Sequence, residues 1–137
     1  MTTPPSVLFV CVKNAGKSQM AAALARHHAG DRLMVHSAGT RPGTTLNTET
    51  VAALNEIGAT LDDEYPKPLE PALLDTVDAV IILGADAHLP HTGAAPVQRW
   101  DTDEPSQRGV TGMPRMRLIR NDIDQRVQAL IHQLLAT

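Results

Sequence analysis

One short run constrains this chain more than any other. Val7-Leu-Phe-Val10 leads directly into Cys11-Val-Lys-Asn-Ala-Gly-Lys-Ser18, and that into Gln-Met-Ala-Ala-Ala-Leu-Ala-Arg26. The first four residues are continuously apolar, as in a strand buried on both faces of a parallel sheet. Residues from Ser18 to about Ala29 are strong helix formers, and Gly30 stops them. A buried strand joined to a helix by one tight loop belongs to an α/β fold, and the rest of the chain repeats the alternation. Leu33 to His36 reads as a strand, followed by the turn Ser37-Ala-Gly-Thr-Arg-Pro-Gly43. Asn47 or Thr48 can cap a helix carrying Val51, Leu54 and Ile57, ended by Gly58. Tyr65 to Pro71, with its three prolines, is loop. A short helix over Pro71 to Thr76 precedes the strands Ala79–Leu83 and Val97–Trp100. Asp101 to Gly112 is polar loop, and Met116, Ile119, Ile123, Val127, Leu130, Ile131 and Leu134 mark one face of a last helix. The pattern predicts a single three-layer domain over residues 1–137, with residues 1–5 a disordered tail. Its sheet is four-stranded and mostly parallel, with helices on both faces.

Ligands of open α/β sheets sit beyond the carboxyl ends of the strands. Three loops fall there: Cys11 to Ser18, Ser37 to Gly43 and Asp101 to Gly109. The first carries chemistry in its composition. Successive backbone N–H groups of Val12, Lys13, Asn14, Ala15, Gly16, Lys17 and Ser18 can point inward, and the helix that follows places a partial positive charge at its N-terminus. Lys17 adds a full charge and Gly16 allows a tight turn. Together they form a cradle for a tetrahedral oxyanion. Ser18 can cap the helix or donate its hydroxyl to sulfur. Cys11 sits at the mouth of this positive field, which favours its thiolate, a nucleophile able to attack phosphorus or arsenic in line.

Two other readings of these residues exist. A lone cysteine ending an apolar strand is commonly an inert small hydrophobe; the order Cys, Asn, Gly, Lys, Ser between strand and helix argues against that here. Residues 11–18 also match G-x-x-x-x-G-K-[ST], the nucleotide-binding P-loop, except that Cys11 replaces the first glycine. No later strand ends directly in a magnesium-binding Asp; Asp86 comes three residues after Leu83.

Composition narrows the partners. A net charge of −3 suits neither nucleic acid nor an anionic membrane. No segment approaches the roughly 18 apolar residues of a membrane span, and Met1-Thr-Thr-Pro-Pro-Ser6 lacks a secretory pattern, so a cytoplasmic location is expected. The chain has 1 cysteine, which excludes an internal disulfide and a multi-cysteine zinc site. His88-x-x-His91 is interrupted by Pro90 and reads as solvated loop rather than a metal site. No bound metal or cofactor is expected.

Cys11-x5-Lys17-Ser18, Ser37-Ala-Gly-Thr40 and Asp103-Glu-Pro105 together resemble the low-molecular-weight protein tyrosine phosphatase superfamily, and within it the arsenate reductases. The resemblance runs from about Val7 to Leu135. It is nearest to the arsenate–mycothiol transferases, whose anion loop also ends Gly-Lys-Ser-Gln. It implies Cys11 as the reactive cysteine and Lys17 as the basic residue closing the loop, where most of the superfamily has Arg. It implies Asn14 as the residue holding the loop's shape with Ser37 as its partner, and Ser18 as the hydroxyl that stabilises the thiolate. Glu104 stands at the general-acid position before proline, with Asp103 one residue earlier as the other candidate. Ser106 and Gln107 stand where tyrosine phosphatases carry two Tyr. Lys17 cannot give Arg's planar grip on a phosphoryl transition state. These departures weigh against a phosphotyrosine hydrolase, which stays an alternative. Thioredoxin-coupled members carry two more cysteines near the end of the third strand. Here that stretch, Ile82 to Pro90, has none. The resemblance therefore implies mycothiol as co-substrate and a separate mycoredoxin that releases arsenite. Arg108, Arg115, Arg117 and Arg120 are open to two readings, lining the approach of that thiol or forming a solvated face.

Overall fold

The computed structural model describes residues 3–136. Strands β1 (Ser6–Cys11), β2 (Met34–Gly39), β3 (Ala79–Leu83) and β4 (Val97–Trp100) form one sheet in the order β2-β1-β3-β4. Every neighbouring pair is parallel, with Val7 opposite Val35 and Ala79, and Val80 opposite Val97. Between the strands run helices α1 (Lys17–Ala29) and α2 (Thr48–Asn55); α3 (Gly112–Leu135) follows β4.

Side chains alternate across a strand, and β1 and β3 use the alternation to fill two cores. Val7, Phe9, Ile81 and Leu83 pack with Met20, Leu24, Leu54, Ile119 and Ile123 on one face. Leu8, Val10, Val80 and Ile82 pack with Leu74 and Val77 on the other. Helical elements cover both faces unequally. All three α-helices lie over the first, where α1 packs on α3 and α2 on both. The second is covered by a 3₁₀ helix, Pro71–Asp75, and by Leu69, Ala87 and Leu89. Phe9 and Trp100 meet at 6.0 Å between ring centroids, a tilted aromatic contact beneath the carboxyl edge of the sheet.

Several boundaries differ from the sequence reading. Helix α1 begins at Lys17, with Gly16 as its N-cap and no side-chain cap; Ser18 lies inside the first turn and is not the cap. Strand β2 is Met34–Gly39 rather than Leu33–His36, because Ser37, Ala38 and Gly39 pair with Phe9, Val10 and Cys11. What read as the start of a turn is ladder. Asn47 does cap α2, its Oδ1 accepting from the Thr50 amide at 3.1 Å. Of the predicted tail, Met1 and Thr2 lie outside the described residues, and the Pro5 carbonyl accepts from the Met34 amide at 2.8 Å. Among the described residues no helix is long and apolar enough to cross a membrane, and no group of three or more His, Cys, Asp or Glu could hold a metal ion.

Candidate functional site: a cysteine in an oxyanion cradle

The loop from Cys11 to Gly16 is shaped by where its carbonyls go. Those of Cys11, Val12, Lys13 and Ala15 accept from the amides of Thr40, Arg41, Gly43 and Asn47 at 3.1, 2.8, 2.9 and 2.8 Å. The segment after β2 thus strips four carbonyls off one side of the loop. Among the described residues no peptide bond is cis, and in a trans peptide the C=O of one residue points opposite to the N–H of the next. The amides of Val12, Lys13, Asn14 and Gly16 are therefore turned the other way, into the loop. The Asn14 amide shows it, donating to Cys11 Sγ at 3.2 Å. The first-turn amides of α1, at Lys17 and Ser18, have no intrahelical acceptor and join the same concave set.

This packing explains Gly39. A Cβ there would lie 2.7 Å from the Val12 carbonyl oxygen and 3.0 Å from both N and Cβ of Asn14. Only glycine lets β2 run this close under the loop.

Asn14 is the keystone. It is fully buried and adopts a φ of 51°, a left-handed conformation that Asn tolerates better than most residues. Its Nδ2 donates to Ser18 Oγ at 2.7 Å. Its Oδ1 accepts from Gln19 Nε2 at 3.0 Å and from the Lys67 amide at 2.9 Å. Ser18 Oγ lies 2.9 Å from Cys11 Sγ. Because Ser18 accepts from Asn14, its own proton is directed at the sulfur. Cys11 Sγ thus faces two donors, the Ser18 hydroxyl and the Asn14 amide, which is the arrangement a thiolate needs. The expected Ser37–Asn14 contact is absent. Asn14 is satisfied by Ser18, Gln19 and Lys67, while the Ser37 hydroxyl is buried without a partner.

Gln19 and the Lys67 backbone were not foreseen as supports. Gln19 is fully buried, and its Nε2 also reaches the carbonyls of Asn14 and Tyr65. It sits next to Ser18 in the Gly-Lys-Ser-Gln run, which was a usable signal. The Lys67 contact is made by its amide, so no residue type could have announced it.

The same geometry removes the P-loop reading. A P-loop Ser must offer its hydroxyl to a nucleotide's Mg²⁺. Here Ser18 is fully buried and committed to Cys11 and Asn14.

The third loop reaches the rim. Lys17 Nζ lies 3.8 Å from Glu104 Oε1. Arg115 grips Glu104 through Nε and Nη2 at 3.0 Å each, and Ser106 Oγ donates to Glu104 Oε2 at 2.9 Å. Burial alone would push the Glu104 carboxyl upward; the Ser106 hydroxyl and the Arg115 and Lys17 charges outweigh it and hold it below its ordinary value. Asp103 is forked to Arg108 at 2.8 and 2.9 Å, and that guanidinium holds it low as well. Of the two acid candidates, Glu104 is the one in contact with the anion loop. Two further arginines of the last helix have separate work: Arg117 and Arg120 both bind Glu56 and tie α3 to α2.

Comparison with known proteins agrees with this geometry. Residues 6–137 match the family described as low molecular weight phosphotyrosine protein phosphatase. An arsenate reductase of Shouchella clausii is 30% identical over 128 residues, covering 89% of this chain and 91% of its own. The thioredoxin-dependent arsenate reductase structure of Corynebacterium glutamicum superposes with a TM-score of 0.81 at 31% identity. That match covers 98% of this chain but only 64% of the other. A solved arsenate reductase in a phosphate-binding state gives a TM-score of 0.81 at 27% identity over 95% of this chain and 98% of its own. With the cysteine loop, the parallel sheet and these matches in agreement, the chain belongs to the low molecular weight phosphotyrosine protein phosphatase family, in the branch of the arsenate reductases.

Proposed function

We propose that this protein reduces arsenate by coupling it to an outside low-molecular-weight thiol, with mycothiol as that thiol and a mycoredoxin as the final reductant. The observation that carries the reading is Cys11 Sγ between the Ser18 hydroxyl and the Asn14 amide, at the base of a loop whose N–H groups face inward, in a chain with 1 cysteine. The names of the relatives supply arsenate as the oxyanion. Arsenate occupies the loop from Val12 to Ser18, its charge balanced by Lys17 and the helix terminus. The Cys11 thiolate attacks arsenic and a protonated oxygen leaves as water. The outside thiolate then attacks arsenic and displaces Cys11, leaving an arsenate–thiol conjugate. Neither exchange changes the oxidation state. Reduction follows when a mycoredoxin thiolate attacks the sulfur of the conjugate. The S–As bond breaks, its electron pair stays on arsenic as arsenite, and the two sulfurs form a mixed disulfide. Cys11 and Lys17 act on the oxyanion and the Ser18 hydroxyl on the Cys11 sulfur, while Asn14 and Gln19 hold the loop. Glu104, at the rim, is placed to pass a proton once its ion pairs open. A reducing cytoplasm suits a free thiol.

Thioredoxin is the reductant in the name of the Corynebacterium structure, but a thioredoxin route needs an internal disulfide that one cysteine cannot form. The experiment follows from that. Purified protein with arsenate and thioredoxin should form arsenite poorly, and mycothiol with a mycoredoxin should restore it. Sustained reduction by thioredoxin alone would overturn the outside-thiol reading.

A further inference from the structure

Glu104 occupies an unusual place. It sits where the resemblance expects a proton donor, yet it is a carboxylate with two cations on it. Arg115 contributes a two-pronged grip and Lys17 lies against the same Oε1, while the Ser106 hydroxyl fixes the second oxygen. Lys17 is also the cation that closes the anion loop. A lysine is a single point charge, unable to serve a carboxylate and an oxyanion with equal geometry. Arg115 stands on α3, outside the anion loop. It shares with Lys17 a cavity of about 130 Å³ that Gly16, Asn47 and Thr50 also line.

We infer that Arg115 is a positioning residue for oxyanion binding: its fork anchors Glu104 at the rim as the counter-charge of Lys17, and an entering oxyanion takes Lys17 from Glu104 and leaves that carboxylate to Arg115. The inference rests on reading Cys11–Ser18 as the oxyanion loop. In the free protein Lys17 is partly neutralised. On binding, the oxyanion and Glu104 become two negative groups around one cation, a repulsion that the Arg115 fork offsets because it keeps its grip while the oxyanion enters. Without Arg115, Glu104 leans on Lys17 alone and opposes the substrate. The charged groups around Glu104 are Lys17 from the start of α1, Arg115 from α3 and Asp103 from its own loop, and Asp103 is itself neutralised by Arg108.

Sulfate binding by calorimetry tests this, because sulfate keeps one charge across the pH range used. At pH 7, Arg115→Met should weaken sulfate by about fivefold and Glu104→Gln should tighten it by a similar factor, the scale of one partly exposed ion pair. In the Glu104→Gln background, Arg115→Met should change affinity by less than about twofold, since no carboxylate is left to anchor. Arg115→Lys should restore part of the loss, being cationic but unforked. Lowering the pH should tighten sulfate as Glu104 protonates, at a higher pH in Arg115→Met than in the native protein. A merely structural Arg115 would not move that profile. Circular dichroism verifies that each variant is folded. An equal Arg115→Met effect with and without Glu104 would mean that Arg115 touches the anion directly, and would overturn the inference. So would native affinity in Arg115→Met. If the native protein binds neither sulfate nor arsenate, the loop reading itself falls, and this inference with it.

Discussion

Replacing Asn14 separates two things the loop needs from one residue. Removing its side chain leaves the Lys67 amide without its Oδ1 acceptor and Ser18 Oγ without its donor; Gln19 Nε2 keeps the Tyr65 and Asn14 carbonyls. One buried amide left unpaired costs about 1–3 kcal/mol. Alanine adds a second cost, because its φ must stay near 51°, a region worth about 1–2 kcal/mol against an ordinary L-residue. Glycine avoids that cost but loses the same hydrogen bonds. We expect Asn14→Ala to lose about 2–4 kcal/mol, lowering Tm by roughly 10 °C for a domain of this size. Asn14→Gly should recover about 1 kcal/mol of this. Turnover should fall in both alike, since the Ser18 hydroxyl loses the donor that aims its proton at Cys11 whichever residue replaces Asn14. Thermal melts and arsenate turnover on the two variants decide the matter. Equal melting temperatures would refute the backbone argument, and native turnover in Asn14→Gly would refute the hydrogen-bond argument.

Further outcomes follow from the same geometry. Gly39→Ala places a methyl 2.7 Å from the Val12 carbonyl oxygen. Overpacking against backbone costs about 1–3 kcal/mol and should weaken arsenate binding by at least about tenfold in calorimetry, with β2 still paired by hydrogen exchange. Cys11→Ser should abolish arsenite formation while leaving sulfate binding measurable, because the amide cradle does not depend on sulfur. Ser18→Ala should lower turnover by slowing reaction of the thiolate, read as slower alkylation of Cys11 by iodoacetamide at pH 7; an unchanged labelling rate would show that the Ser18 contact does not act on the sulfur. Glu56 is held at about 2 by Arg117 and Arg120, against an ordinary 4.5. Its folded value is depressed, so the stability it contributes is complete above about 4.5 and disappears as pH falls towards 2. Glu56→Gln should lower the melting temperature at pH 7 and flatten its dependence between those limits.

Much of the site is legible in the sequence. The run Val7–Ser18 specifies a strand, a loop and a helix in local order, and local propensity with short-range geometry is enough to place a cysteine before a helix terminus. The two central strands are legible as apolar runs, Val7–Val10 and Ala79–Leu83, whereas the edge strand Val97–Trp100 carries Gln98 and Arg99 and is largely exposed. The boundary at Ser37 was misplaced for a physical reason: Ser-Ala-Gly has turn composition, and only pairing with Phe9, Val10 and Cys11 makes it a strand. The family resemblance points to Asn14 as the loop's organiser, but the partners it finds are Ser18, Gln19 and the Lys67 amide rather than Ser37.

What the linear order of residues determined here is the chemistry available: one thiol, a run of amides turning into a helix, a lysine closing it, and no second sulfur for an internal disulfide. What only the tertiary structure decided is how those groups are held. The amides point inward because residues 40–47, distant in sequence, draw four loop carbonyls outward. The Ser18 proton points at sulfur because Asn14 already occupies the oxygen, and Asn14 is oriented by an amide 53 residues away. Glu104 is an ion-paired carboxylate because α3 swings Arg115 onto it. Each of these depends on contacts between segments far apart along the chain, and backbone amides and carbonyls, common to every residue, leave no trace of their partners in residue type.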